Sequence, residues 1–372
     1  MTPRRHRGFV WAWDQRCVST IETRTVPGLG QSLIPTPAVV GHRGASGERP
    51  EHTLESYRLA IRMGADDIEL DLVITADGVL VARHDATLFD TTDVAERPEF
   101  ADRRTTKVVD GSEHTDWFVE DFTFAELRTL TARERFRKIR KTNTDFHDRL
   151  PVPSLDEVLT LVALESRRAR RTVGVMLELK HAAYFEQRGL SLVAPLVGAL
   201  QQHGLDHPRS RVTVMSFEPT VLKQLAARTE VSILQLIEKK GRPADLVAAG
   251  DPTKYPDMCT PAGLAAIEEY ADGIGVHKHL VLPRDASGHT AEVSSLVADA
   301  HQRLLTVHVW TLRAENRFLP QELRSDDRPG HHGNLIAEAR MFLAAGVDGL
   351  ITDHPDLVLA ARVQHLKSLR VS

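Results

Sequence analysis

Residues 39–72 read VVGHRGASGERPEHTLESYRLAIRMGADDIELDL, and this stretch decides the fold. It opens on a β-branched run, Val39–His42, and closes on a second, Ile68–Leu72. Between them Leu54, Tyr57 and Ile61 recur at i, i+3 and i+7, the stripe of a helix that buries one face. Thr53 can cap the start of that helix, and Gly64 can close its end in the left-handed conformation. Strand, helix and strand over about thirty residues form a crossover unit, which implies parallel strands. The pattern recurs outward. Val79–His84, Val173–Leu179, Val212–Ser216, Ile233–Ile237, Gly273–Val276, Leu304–Trp310 and Gly349–Thr352 read as strands. Pro219–Arg228, Pro261–Tyr270 and Leu335–Ala345 read as helices. The expected fold is α/β, a TIM-like (β/α)8 barrel with a subdomain inserted after the third strand.

Nine strand runs are one too many for a regular barrel. Thr75-Ala76-Asp77-Gly78 accounts for the surplus, because it is a tight-turn signal joining two runs with no helix between. From about residue 87 to 149 the alternation breaks. This charged segment holds seven of the 12 Phe of the chain and follows His84 directly. Its length and aromatics read as an insertion over the barrel mouth, not a disordered loop. Position alone leaves two roles open, a lid that meets substrate and a packed ornament that does not. Residues 1–37 read as a poorly ordered tail, 38–360 as the barrel and 361–372 as a C-terminal tail.

The chain has 372 residues, 42% hydrophobic and 26% charged, with formal net charge −4. These values suit a soluble globular protein and lack the basic footprint of a nucleic-acid binder. Cys17 and Cys259 are too few for a disulfide scaffold or a thiolate zinc site, so two free thiols are expected. No apolar run reaches the ~18 residues of a transmembrane helix. The run Gly8–Trp13 is cut short by Asp14 and Arg16, so no working signal peptide is expected. The expected location is cytoplasmic, or exported if the start codon is mis-assigned.

Catalytic groups of such barrels stand at the C-terminal ends of strands. There the sequence places His42-Arg43, Glu69-Leu70-Asp71, His84-Asp85, Glu178-Leu179-Lys180, Ser216-Phe217, Glu238-Lys239, His277, His308-Val309-Trp310 and Asp353-His354. Glu69 and Asp71 are two apart and share one strand face. If that face is the barrel interior, their repulsion must be relieved by a cation or a proton. Glu178 can add a third oxygen, and carboxylates suit Mg²⁺ or Ca²⁺ better than zinc. The competing reading is a solvated face, with Ile68, Leu70 and Leu72 buried instead. His42 and His84 fit general acid and base work near neutral pH. Arg43 and Lys180 add fixed positive charge suited to phosphate. Each of these residues taken alone is more often structural. Nucleophile-elbow, phosphate-loop, zincin and dinucleotide-loop motifs are absent.

Taken in order, these pieces resemble the glycerophosphodiester phosphodiesterase family. The motifs are His42-Arg43-Gly44-Ala45, Arg49-Pro50-Glu51-His52-Thr53-Leu54, Glu69-Leu70-Asp71, Asp77-Gly78 and His84-Asp85. Glu178-Leu179-Lys180, Ser216-Phe217, Tyr270–Gly275 and Gly349–Asp353 follow. The likeness spans about residues 38 to 360. The insertion, and His52 where many relatives have Asn, resemble the longer bacterial branch. The resemblance implies cleavage of glycerophosphodiesters, such as glycerophosphocholine and glycerophosphoethanolamine, to sn-glycerol 3-phosphate and an alcohol. It implies His42 and His84 as the acid–base pair. Glu69, Asp71 and Glu178 become ligands of one divalent cation, calcium by the branch and magnesium by shorter relatives. Arg43 and Lys180 become phosphate holders, with Glu51 near the site.

The expected partner is therefore a small glycerophosphodiester. Phe217 and Trp310 are candidates for the alcohol pocket, and both equally suit a core position. Two alternatives stand beside this reading. One is a phospholipase D-like enzyme acting on lysophospholipids, which an apolar groove under the insertion would favour. The other is a binding protein without turnover, which the intact acid, base and ligand set argues against.

Overall fold

The computed structural model describes residues 30–369. Of the tail expected over residues 1–37, residues 1–29, with Cys17, lie outside them. Eight parallel strands close the barrel. They are β1 (Ala38–His42), β2 (Asp67–Ile74), β6 (Gly174–Leu179), β7 (Val212–Ser216), β8 (Ser232–Ile237), β9 (Gly273–His277), β10 (Thr306–Leu312) and β11 (Gly349–Thr352). Closure comes from β1, which pairs with both β11 and β2. The ninth strand, β3 (Leu80–Ala82), is antiparallel to β2, with Leu72 opposite Ala82. The turn between them is the one expected at Thr75–Gly78, where Thr75 Oγ1 accepts from the Val79 amide.

The first crossover helix runs Leu54–Met63. Thr53 Oγ1 accepts from the Ser56 amide at its start, and Gly64 ends it at φ +106. Tyr57, Ala60 and Ile61 are buried against the sheet. Each large apolar side chain so buried contributes roughly 1.5–3 kcal/mol.

Strand alternation divides the core in two. Ala38, Val40, Met176, Met215, Leu234, Leu236 and Ile351 form one cluster, the barrel interior. Val39, Ile68, Leu70, Leu72, Val175 and Leu177 join the larger cluster between strands and helices. All eight residues of β2 are buried, which excludes the solvated-face reading of Glu69 and Asp71. Both carboxylates share the inner face of β2, because Ile68, Leu70 and Leu72 take the outer one.

The insertion after β3 carries a hairpin, β4 (Thr105–Val109) with β5 (Ser112–Asp116), a short helix Phe124–Leu127 and several 3₁₀ turns. Phe100, Trp117, Phe118 and Phe122 lie in the same outer core as the barrel helices, so the segment packs on the barrel. At the other end the chain departs from expectation. Residues 361–369 are not a tail but the second half of helix Pro355–Leu369. Val358 and Ala361 are buried, and Arg362 donates to the Pro37 carbonyl at 2.9 Å and pairs with Asp66. Residues before β1 are tied as well: Ser32 Oγ and the Leu33 amide both donate to Asp348. Cys259 is a free, half-buried thiol that burial pushes up to about 11. Among the described residues no helix is long and apolar enough to cross a membrane.

Candidate active site

The C-terminal ends of the strands surround a cavity of about 440 Å³. His42, Arg43, Glu69, His84, Glu178, Lys180, Phe217 and Trp310 line it. Eight of the ten expected site residues therefore meet there. Asp71 and Glu51 stand just behind the wall.

Asp71 of β2 is the register partner of Glu178 of β6, and Glu69 of β2 is the register partner of His42 of β1. One oxygen from each of Glu69, Asp71 and Glu178 lies within 4.8 Å of the others, and all three residues are buried. Burial, then the charge of Asp71, pushes Glu69 well above the usual carboxylate range. Burial raises Glu178 to about 8, against the pull of Lys180, whose Nζ stands 2.8 Å from Oε1. Burial also works to raise Asp71, but Arg43, His84, Lys180 and the His52 hydrogen bond outweigh it and hold it well below its usual range. Three crowded carboxyl groups, two of them pushed above the usual carboxylate range, form a site that a hard cation fits, because its charge relieves their repulsion.

Both expected histidines stand at the mouth. His42 Nδ1 lies 2.6 Å from Asp353 Oδ1, and His84 Nδ1 lies 2.6 Å from Asp85 Oδ1. An ionised carboxylate only accepts, so each Nδ1 carries the hydrogen and each Nε2 is left as the basic nitrogen. Burial, then the charge of Arg43, lowers His42 to about 4. Burial, then Arg43 and Lys180, lowers His84 to about 3. Both imidazoles are neutral at pH 7. Lys180 Nζ is 3.3 Å from His84 Nε2, which matches a bare nitrogen there.

The loop after β1 is held by its backbone. Arg43 adopts φ +56 and its amide donates to Glu69 Oε2 at 2.9 Å. Gly44 follows at φ +88, where a Cβ would come within 2.4 Å of Ser56 Oγ. The Arg43 guanidinium bonds both oxygens of Glu51 and stands 3.2 Å from Asp71 Oδ2. Burial would raise Glu51, but Arg135 and Arg43 hold it well below its usual range. Phe217 and Trp310 meet edge to face at 5.5 Å in the cavity wall. His277, which meets Trp310 edge to face at 5.3 Å, also lines the cavity, whereas His308 does not.

Several participants carried no assigned role in the sequence. His52 is fully engaged, with Nε2 on Asp71 at 2.8 Å and Nδ1 on the Tyr57 hydroxyl at 2.7 Å. Arg135 and Arg140 of the insertion reach Asp85 and Asp353. No periodicity marks an arginine in an irregular segment as belonging to a site 50 or more positions away. Asp85 and Asp353 were visible as strand-end residues, but their service to the histidines was not.

A closed barrel whose mouth gathers buried carboxylates, neutral histidines and fixed cations defines a (β/α)8 enzyme. The family model described as "Glycerophosphoryl diester phosphodiesterase family" matches residues 42–357, and the chain belongs to that family. It is an enzyme of the phosphoric diester hydrolase class. The chain is 34% identical over 331 residues to glycerophosphodiester phosphodiesterase GDPD6 of Arabidopsis thaliana, covering 85% of this chain and 83% of that protein. It is 29% identical over 352 residues to the Haemophilus influenzae glycerophosphodiester phosphodiesterase, covering 89% and 90%. In fold it is similar to an Oleispira antarctica phosphodiesterase solved with the product sn-glycerol-3-phosphate, with TM-score 0.57 and 20% identity, covering 88% and 96%. The Agrobacterium tumefaciens glycerophosphodiester phosphodiesterase is similar too, with TM-score 0.51 and 23% identity, covering 87% and 99%.

Proposed function

We propose that the enzyme hydrolyses glycerophosphodiesters, glycerophosphocholine and glycerophosphoethanolamine among them, to sn-glycerol 3-phosphate and an alcohol, by cation-assisted acid–base catalysis. The observation that carries this reading is the meeting of three buried carboxylates with two neutral histidines in one cavity. Glu69, Asp71 and Glu178 would hold one divalent cation, with calcium preferred to magnesium on the resemblance to the longer branch. Bound there, the cation supplies positive charge against the phosphate as negative charge builds in the transition state. Arg43 and Lys180 hold the phosphate oxygens through charge-assisted hydrogen bonds. One histidine takes a proton at Nε2 from the nucleophile, and the other returns one to the departing alkoxide. The nucleophile is water or the glycerol 2-hydroxyl, and attack by the latter gives a cyclic phosphate that water then opens. The product named with the Oleispira antarctica structure supports sn-glycerol 3-phosphate as the part retained. Phe217 and Trp310 face the alcohol.

The lysophospholipid alternative needs an apolar groove under the insertion. The cavity beneath hairpin β4–β5 adjoins the active site at Glu178, Lys180 and Phe217 and has a mixed wall, with Val108, Tyr184, Val247 and Tyr255 beside Asp110, Arg188, Glu218 and Arg242. It is therefore no purely apolar groove, and the family match favours the glycerophosphodiester reading over this alternative. The deciding assay follows glycerol 3-phosphate release from glycerophosphocholine with EDTA, Ca²⁺ or Mg²⁺, with His42→Ala as control. Release that needs a metal and is lost in the variant supports the site as drawn. No release from folded protein with any metal overturns the substrate assignment.

A further inference from the structure

The two histidines are each held by a carboxylate, and each carboxylate is held by an arginine from the insertion. Asp353 Oδ1 takes His42 Nδ1, and its Oδ2 takes Arg140 Nη2 at 2.6 Å and Arg313 Nε at 2.8 Å. Arg140 also pairs with Glu315 and donates from Nη1 to the Ser46 carbonyl at 2.9 Å. It thereby ties the loop after β1, the loop after β10 and the end of β11. Asp85 Oδ1 takes His84 Nδ1, and its Oδ2 takes Arg135 Nη2 at 2.6 Å. Arg135 then reaches Glu51 through Nε and Nη2 at 2.7–3.1 Å, and Glu51 grips Arg43. One arginine so joins His84 to the residue that holds the phosphate.

We infer that the insertion is a positioning device for catalysis, in which Arg135 and Arg140 fix the carboxylates that orient His84 and His42. Both arginines come from the insertion, and neither lines the cavity. They act through other residues and do not touch the reacting atoms. The physical case is orientational. A carboxylate with one oxygen on an imidazole and the other on a guanidinium has both oxygens spent, so it cannot rotate away. The imidazole it holds keeps one tautomer and one direction. A catalytic nitrogen displaced by about 1 Å can cost about 10²-fold in rate. The packed-ornament reading of the insertion predicts no such dependence.

This inference rests on the assignment of His42 and His84 as the acid–base pair, so the experiment begins with His84→Ala. If His84→Ala turns over glycerophosphocholine like the wild type, that assignment falls, and the inference falls with it. If His84→Ala is inactive, Arg135→Gln and Arg135→Lys are measured in saturating metal, with far-UV circular dichroism and melting. The expected result is a tenfold or larger loss of kcat in Arg135→Gln, with KM changed less than threefold, partial return in Arg135→Lys, and rescue of Arg135→Ala by added guanidinium. Asp85→Asn should show the same kcat loss, and Asp85→Asn with Arg135→Gln should be no worse than the poorer single variant. Arg133→Gln, which removes only the ion pairs to Glu96 and Asp148 in the same segment, should keep its kcat. A folded Arg135→Gln with kcat within twofold of wild type overturns the inference. Should that variant not fold, Asp85→Asn alone decides, with unchanged kcat as the overturning result.

Discussion

Asp71 and Glu178 are register partners on adjacent parallel strands, and both point into the barrel. Neighbouring strands lie about 4.8 Å apart, so the carboxylates cannot separate. With Glu69 on the same face, the barrel wall holds a charge problem that it solves with protons or with a cation. The first prediction follows. Glu178 is raised to about 8 and Glu69 well above its usual range, so a cation taken up by this cluster at pH 7 is expected to displace protons. Calcium affinity should rise with pH up to about 8. Titration calorimetry in buffers of different ionisation enthalpy should give proton release at pH 7 that shrinks toward pH 9.

The same shifts predict a stability profile. A buried carboxyl with a raised folded-state pKa contributes stability below its unfolded value, near 4.3, and loses it as pH rises through the folded value. In metal-free protein the contribution of Glu178 to the melting temperature should therefore decline between about pH 5 and pH 8, against an opposite, rising contribution from the buried neutral His42 and His84. Glu178→Gln should flatten that decline, and added calcium should oppose it in the wild type. A metal-free melting temperature that climbs over this range, and does so equally in Glu178→Gln, would contradict the assignment of raised carboxyls.

Asp353 is predicted to matter to His42 beyond charge. Its Oδ1 sits 2.6 Å from Nδ1. In Asp353→Asn the amide can present its NH₂ to Nδ1 and turn the imidazole to the other tautomer. A loss of kcat of about 10²-fold or more is expected, comparable with His42→Ala, while binding of glycerol 3-phosphate is retained. Steady-state kinetics and product titration together test this. Equal losses in kcat and in binding would point to collapse of the loop instead.

His52 is predicted to serve stability through the buried carboxylate cluster. It donates to Asp71 and accepts from the Tyr57 hydroxyl, and all three residues are buried. Asn at this position is expected to tolerate the positive φ of His52, +56, yet to strand the Tyr57 hydroxyl. His52→Asn should cost about 1–3 kcal/mol, and that cost should shrink in a Tyr57→Phe background. A double-mutant cycle by urea unfolding measures both. Additive effects would show that the two side chains are not coupled.

Gly44 gives a sharper mutational test. Its φ of +88 and the approach of Ser56 backbone to 2.5 Å leave no room for Cβ. Gly44→Ala should cost about 1–3 kcal/mol or more and should displace Arg43, raising KM. Thermal melting and KM for glycerophosphocholine are the readouts.

The sequence alone determined the barrel, its surplus hairpin and most of the candidate site, because these rest on local periodicity. Alternation along β2 put Glu69 and Asp71 on one face, and capping residues at Thr53 and Gly64 bounded the crossover helix. Which face looks inward was not local information; the outer helices decided it by burying Ile68, Leu70 and Leu72. The helix past residue 361 was missed because its burial is confined to residues such as Val358 and Ala361, too weak a stripe to read alone. The arginines on Asp85 and Asp353 were decided only by tertiary structure. Arg140 and Asp353 are 213 positions apart. An ion pair across such a distance leaves no spacing in the chain, since the loops that bring it together are placed by the packing of the barrel beneath them.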